Sequence, residues 1–226
     1  MGPFDLVIFD CDGVLIDSEL ISARQLVATL ARFGVQIDLP YVAKHFLGRS
    51  YGVVLSQIRG DFGIDLPEGF EATYRETLLA AFARDLKAMP GVRETVTRLA
   101  VPYCLATSSS PPRVERSLQI TGLTDLFAGR ITTAAEVRTG KPAPDLFLLA
   151  AQKHGATPAR CLVIEDSAMG IRAGLAAGMT VLRFTGGGHL AGAPADAPGA
   201  HEAHGTFASF ADFFHLVPQL ERRPAR

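Results

Sequence analysis

The 226-residue chain has few cysteines, almost no net charge and no long apolar stretch. Cys11, Cys104 and Cys161 are odd in number, and each sits inside an apolar run. Their spacing matches neither a zinc knuckle nor a redox pair. They read as reduced thiols, which fits a cytoplasmic protein. A formal net charge of −1 supplies no basic field for nucleic acid, and no basic patch with interleaved aromatics occurs. Arg222, Arg223 and Arg226 cluster at the tail and read as a solvated terminus. The first residues lack the charged start, apolar stretch and cleavage site of a signal peptide. No apolar run approaches the ~20 residues needed to cross a bilayer. Internal repeats are also missing. The expected protein is cytoplasmic, without nucleic-acid or membrane partners, and its oligomeric state is not legible.

What is present is hydrophobic content of 48%, enough for one sizeable core or a core with a smaller lobe. Short apolar runs alternate with longer helical patterns, which predicts an α/β fold around a mostly parallel sheet. The runs are Leu6 to Phe9, Tyr103 to Ala106, a weaker one at 130–133, Cys161 to Ile164, and Thr180 to Phe184. Their apolar residues are continuous rather than alternating, as in strands covered on both faces. Ser110-Pro111-Pro112, Pro144-Asp145 and Ser167 each read as a helix start. Ile171 and Leu175 should face inward on the helix that Ser167 opens.

The gap between the first two strands is too long for a simple crossover. Helical spacing there predicts helices near 19–33, 40–46, 50–62 and 68–85. The expected organisation is an α/β core of residues 1–17 and 88–226, with a helical cap at 18–87. Hinges would lie near 15–18 and 85–90. Residues 186–205, rich in Gly, Ala, Pro and His, read as a loop.

Four motifs follow apolar runs or sit on stiff turns. In open parallel sheets ligands gather at the carboxyl ends of strands. Asp10-Cys11-Asp12-Gly13 puts two carboxylates on one side of an extended segment. Asp10 could attack phosphorus while Asp12 serves as general acid and base. Thr107-Ser108-Ser109-Ser110 supplies hydroxyls and N–H groups at a helix start, an anion cradle. In Gly140-Lys141-Pro142 the proline stiffens the turn that aims Lys141, an ammonium able to offset phosphoryl charge. Glu165-Asp166 after a buried strand points to a hard cation, and oxygen-only ligands suit Mg²⁺.

This set resembles the haloacid dehalogenase-like superfamily, and the helical insert after the first motif resembles its branch with an α-helical cap. The resemblance spans about residues 4 to 190. It implies a Rossmann-like core and a Mg²⁺-dependent phosphatase acting on a small phosphorylated metabolite, such as a sugar phosphate or phosphoglycolate. Asp10 would be nucleophile and metal ligand, and Asp12 the general acid/base, lending its backbone carbonyl to the metal. Ser108, Ser109 and Lys141 would hold the phosphoryl group. Asp166 would ligate Mg²⁺, with Glu165 assisting.

Dehalogenases of the superfamily lack the second aspartate, so Asp12 disfavours that chemistry. Phosphonate-cleaving relatives use a cap lysine, and Lys44, the cap's one lysine before Lys87, sits in no evident pocket. The β-phosphoglucomutases are the nearer rival, but Ser22 stands where they carry histidine. Gly48-Arg49-Ser50-Tyr51 stands where their specificity loop reads Gly-Val-Ser-Arg. Both departures favour hydrolysis. Arg49 and Ser50 are still expected to read the substrate from the cap. Arg113 could also face it, and His189 reads as a loop residue. A relative that only binds a phospho-ligand or partner is the third reading, and the intact acids disfavour it.

Overall fold

The computed structural model describes residues 4–46, 51–191 and 202–222, with only the backbone of Tyr51. Six strands form one all-parallel sheet: β1 (Leu6–Phe9), β2 (Tyr103–Thr107), β3 (Ile131–Thr133), β4 (Cys161–Glu165), β5 (Thr180–Phe184) and β6 (Gly205–Phe207). Their order is β3-β2-β1-β4-β5-β6. β1 and β4 are wholly buried, so their unbroken apolar runs are what a two-sided environment demands.

β1 lies at the centre, and the chain winds one way to β2 and β3 before crossing to β4. That reversal opens a crevice at the carboxyl ends of β2, β1 and β4. The register brings the motifs level with one another. Phe9 lies opposite Leu105 on one side and Ile164 on the other, and the Asp10 N–H donates to the Ile164 carbonyl at 2.9 Å. Asp10 therefore leaves β1 beside Glu165, one step after Ile164 on β4.

Between β1 and β2 come four helices: α1 (Glu19–Ala31), α2 (Leu39–His45), α3 (Tyr51–Phe62) and α4 (Phe70–Asp85). Leu26, Leu30, Val35, Val42, Phe46, Val54, Ile58 and Phe70 pack into a hydrophobic cluster of their own. Asp38 caps α2 by accepting from the Tyr41 N–H at 2.8 Å. Leu78 and Phe82 on α4 instead join the cluster under the sheet. The two connections into this insert run side by side. The Asp17 N–H donates to the Lys87 carbonyl at 3.0 Å, and the Met89 N–H to the Leu15 carbonyl at 2.9 Å.

The remaining helices cover the sheet: α5 (Val92–Thr97), α6 (Pro111–Thr121), α7 (Thr124–Phe127), α8 (Asp145–Lys153), α9 (Ala168–Ala176) and α10 (Phe213–Leu216). Ser110 sits extended ahead of Pro111, and Gly122 in a left-handed conformation ends α6. Ile171 is buried as expected, whereas Leu175 is only half-buried at the margin of α9.

The 186–205 segment departs from the sequence reading at both ends. Gly188–Leu190 forms a 3-10 turn, and Gly205 begins β6, which pairs with β5. Gly205 lies inside that loop composition, which masks the start of β6. Phe207 of β6 packs at a tilt against Phe184 and edge-on against Phe210, extending the core under that edge. No helix among the described residues is long and apolar enough to cross a membrane.

Candidate active site

Asp10, Asp12, Ser108, Ser109, Lys141, Glu165 and Asp166 all line one cavity of about 850 Å³ at the carboxyl ends of the strands. Residues 49 and 50, expected to read substrate, lie outside the described residues.

The deepest part is a buried knot of charge. Asp10, Glu165 and Asp166 each bring a carboxylate oxygen within 4.8 Å of the others. The Lys141 ammonium, 4% exposed, donates to Asp10 at 2.6 Å and to Glu165 at 2.7 Å. Its charge also lies 5.0 Å from the Phe147 ring centre. Burial works against the Lys141 charge, but Asp10 and Glu165 hold it above the ordinary lysine value. Burial pushes Asp10 well above the usual carboxylate range, Lys141 opposes this, and Glu165 and Asp166 reinforce it. Asp166 is likewise raised, by burial first and then by Glu165.

Three carboxylates facing one ammonium leave two negative charges unbalanced when all are ionised. An all-oxygen cluster with that deficit fits a hard divalent cation. The oxygens are not equally free. Glu165 Oε1 accepts from Lys141, while Oε2 accepts from the Asp166 and Ser167 N–H groups at 2.8 and 2.7 Å. Gly170 on α9 leaves room for it, since a Cβ there would stand 1.6 Å from Glu165 Oε1. Asp10 and Asp166 have more capacity left for a cation.

Asp12 points elsewhere in the cavity. It accepts from Ser18 Oγ at 2.6 Å, Ser109 Oγ at 2.6 Å and Arg113 Nη2 at 2.8 Å. Burial pushes the Asp12 carboxyl upward, yet Arg113, Ser109 and Ser18 outweigh it and hold it below the usual value. In this arrangement the Ser109 hydroxyl serves Asp12. Ser108 is exposed to the cavity and Ser109 buried.

Arg113 comes from the first turn of α6, placed there by the Ser110-Pro111 start, and lies over Phe82 of α4 at 5.4 Å. It also donates to Ser22 Oγ on α1 at 3.3 Å, so one guanidinium touches Asp12 and two insert helices. Glu19, at the start of α1, lines the same wall. It is pushed up to about 7 by burial and by the Asp12 and Asp166 charges. Sequence reasoning did not single out Glu19, and its place directly after the expected hinge was the available signal. Lys44, expected to sit in no evident pocket, does line the cavity, although it is exposed.

His189 differs most from its reading as a loop residue. Its side chain is 8% exposed, and its Nε2 lies 3.0 Å from Asp166 Oδ2. Burial holds its pKa below the ordinary histidine value.

Comparison with known proteins agrees with this geometry. The haloacid dehalogenase-like hydrolase family profile matches residues 4–178. A 6-phosphogluconate phosphatase of Escherichia coli is 27% identical over 190 residues, covering 84% of this chain and 86% of that protein. Hexitol phosphatase A of the same organism is 31% identical over 201 residues, 86% of each chain. The crystal structure of a hydrolase of this family from Deinococcus radiodurans, with bound phosphate and sodium, is 34% identical. It has a TM-score of 0.76 and 96% coverage of both chains. The chain belongs to the haloacid dehalogenase-like hydrolase family.

Proposed function

We propose that this protein is a Mg²⁺-dependent phosphatase of small phosphorylated metabolites of the phosphosugar class, working through an aspartyl-phosphate on Asp10. One observation carries the reading: Asp10 shares a buried cluster with Glu165, Asp166 and the Lys141 ammonium in the cavity at the carboxyl ends of the strands. Asp10 and Asp166, with the Asp12 backbone carbonyl, would hold the cation, and Glu165 would assist from behind. When bound, the cation offsets repulsion between the Asp10 carboxylate and the phosphate dianion.

The chain's own groups divide the remaining work. The Asp10 oxygen attacks phosphorus, and the bond to the leaving oxygen breaks. Lys141 and Ser108 hold the phosphoryl oxygens while charge redistributes. Asp12, once protonated, gives its proton to the leaving alcohol. As a carboxylate, the form its three donors favour, it then takes a proton from the water that releases phosphate. Residues 18–87 would act as a cap whose closure excludes bulk water.

The cavity's size suits a small metabolite. Its wall also carries Lys44, Glu71 and Arg75, charges of both signs able to engage hydroxyls or a carboxylate. The relatives named for 6-phosphogluconate and hexitol substrates support an open-chain polyol phosphate. Arg49 and Ser50 would add to that recognition. Hydrolysis is favoured over phosphoryl transfer between sugar positions because Ser22, bonded to the Ser18 carbonyl and reached by Arg113, supplies no histidine there. Three buried free thiols, Cys11, Cys104 and Cys161, support a cytoplasmic setting.

The test is phosphate release from p-nitrophenyl phosphate, then from a panel of sugar and sugar-acid phosphates. Activity should require Mg²⁺, vanish with EDTA and return when Mg²⁺ is restored. Full activity in EDTA after prolonged chelation would contradict the proposal.

A further inference from the structure

The Gly186-Gly187-Gly188-His189 run looks unstructured in the sequence but is closely packed. The His189 ring lies against two glycine backbones. A Cβ on Gly187 would stand 2.8 Å from both His189 Nδ1 and Cε1. A Cβ on Gly13, in the first motif, would stand 3.0 Å from His189 Cε1 and 1.9 Å from Asp166 Oδ2. Only glycine at these two positions lets the imidazole and the Asp166 carboxylate meet. The next glycine joins the same assembly to the hinge, its N–H donating to Asp17 Oδ1 at 3.0 Å.

We infer that His189 is a positioning residue for the metal site: its Nε2, 3.0 Å from Asp166 Oδ2, holds that oxygen by a polar contact and leaves the other carboxylate oxygen for the cation. The other ring nitrogen makes no competing bond. Nδ1 is buried and has no hydrogen-bond partner among the described residues, which leaves Nε2 as the nitrogen that faces the acid. His189 does not itself join Asp10, Glu165 and Asp166 in the ligand cluster, so it acts through Asp166. A ligand carboxylate held by such a neighbour loses less freedom on binding metal. The Asp17–Gly188 bond places the same turn against the connection to the helical insert, so the acid's orientation is referenced to the hinge.

This inference rests on the divalent-metal reading of the site, and the experiment separates the two. Mg²⁺ binding is measured by calorimetry on the wild type, His189→Ala, His189→Gln and Asp166→Asn, with metal-free melting temperatures as a check on folding. Glutamine is the informative variant because its amide nitrogen can replace Nε2 beside the acid. The alanine variant should bind Mg²⁺ roughly 10–100-fold more weakly, and the glutamine variant should regain most of that loss. Alanine binding as tightly as wild type, or glutamine binding as weakly as alanine, would overturn the positioning role. A wild type that binds no better than Asp166→Asn would overturn the metal reading as well.

Discussion

Asp10→Asn should abolish phosphate release while leaving the protein folded. The substitution removes the attacking oxygen's charge and keeps its shape. Loss of a covalent nucleophile in an otherwise intact site costs on the order of 10⁴–10⁶ in kcat. Stability should change little, for a reason visible in the cluster. Burial and the neighbouring Glu165 and Asp166 already disfavour the Asp10 charge, and Lys141 keeps Glu165 as a partner after the change. The amide oxygen can still accept from Lys141. Steady-state assays with p-nitrophenyl phosphate, beside thermal melts, check both halves. More than about a tenth of wild-type kcat would rule out Asp10 as nucleophile, given the size of the loss expected.

Lys141→Ala should damage both the fold and the chemistry, which sets it apart from Asp10→Asn. The ammonium is buried between two acids, at 2.6 and 2.7 Å, with a third close by. Removing it leaves those carboxylates facing each other without a counter-charge. Breaking a buried pair from one side costs about 3–5 kcal/mol. In a chain of this size each kcal/mol lowers the melting temperature by about 2–4 °C, so a fall of roughly 6–20 °C is expected. Added Mg²⁺ should raise the melting temperature of the variant by more than it raises that of the wild type, because the cation supplies the missing charge. Activity should fall by about 10²–10³ through loss of charge stabilisation at the phosphoryl group. A variant that melts like the wild type would show that the Lys141 ion pairs carry no net stability.

The parts of the site that were legible lie where backbone pattern and chemistry coincide. Asp10, Ser108 and Glu165-Asp166 each terminate an apolar run or follow it directly, and parallel register alone brings such positions together. Lys141 was legible because its turn is stiff and leads into a helix. The four insert helices came within a few residues of the expected spans, since their apolar spacing reports a face that must be buried.

What could not be read depends on contacts rather than pattern. His189 follows three glycines, which in a sequence signal freedom. Here Gly187 instead yields the space a ring needs against Gly13 and Asp166. Arg113 could be placed near the serine loop by proximity, but not its hold on Asp12, which needs Phe82 and Ser22 from helices 30 and more residues away. Ser109 illustrates the same limit: a hydroxyl expected to face phosphate is spent on Asp12. β6 was missed because it begins inside a segment with loop composition.

The central claim is spatial, and diffraction on crystals grown with Mn²⁺ and phosphate tests it directly. Anomalous scattering should place one cation in contact with both the Asp10 and Asp166 carboxylates. A phosphate should bridge that cation to the Lys141 ammonium and the Ser108 hydroxyl, within about 3 Å of each donor. A cation bound away from Asp10 and Asp166, or phosphate settling elsewhere on the protein with Lys141 still closed onto Asp10 and Glu165, would contradict the account.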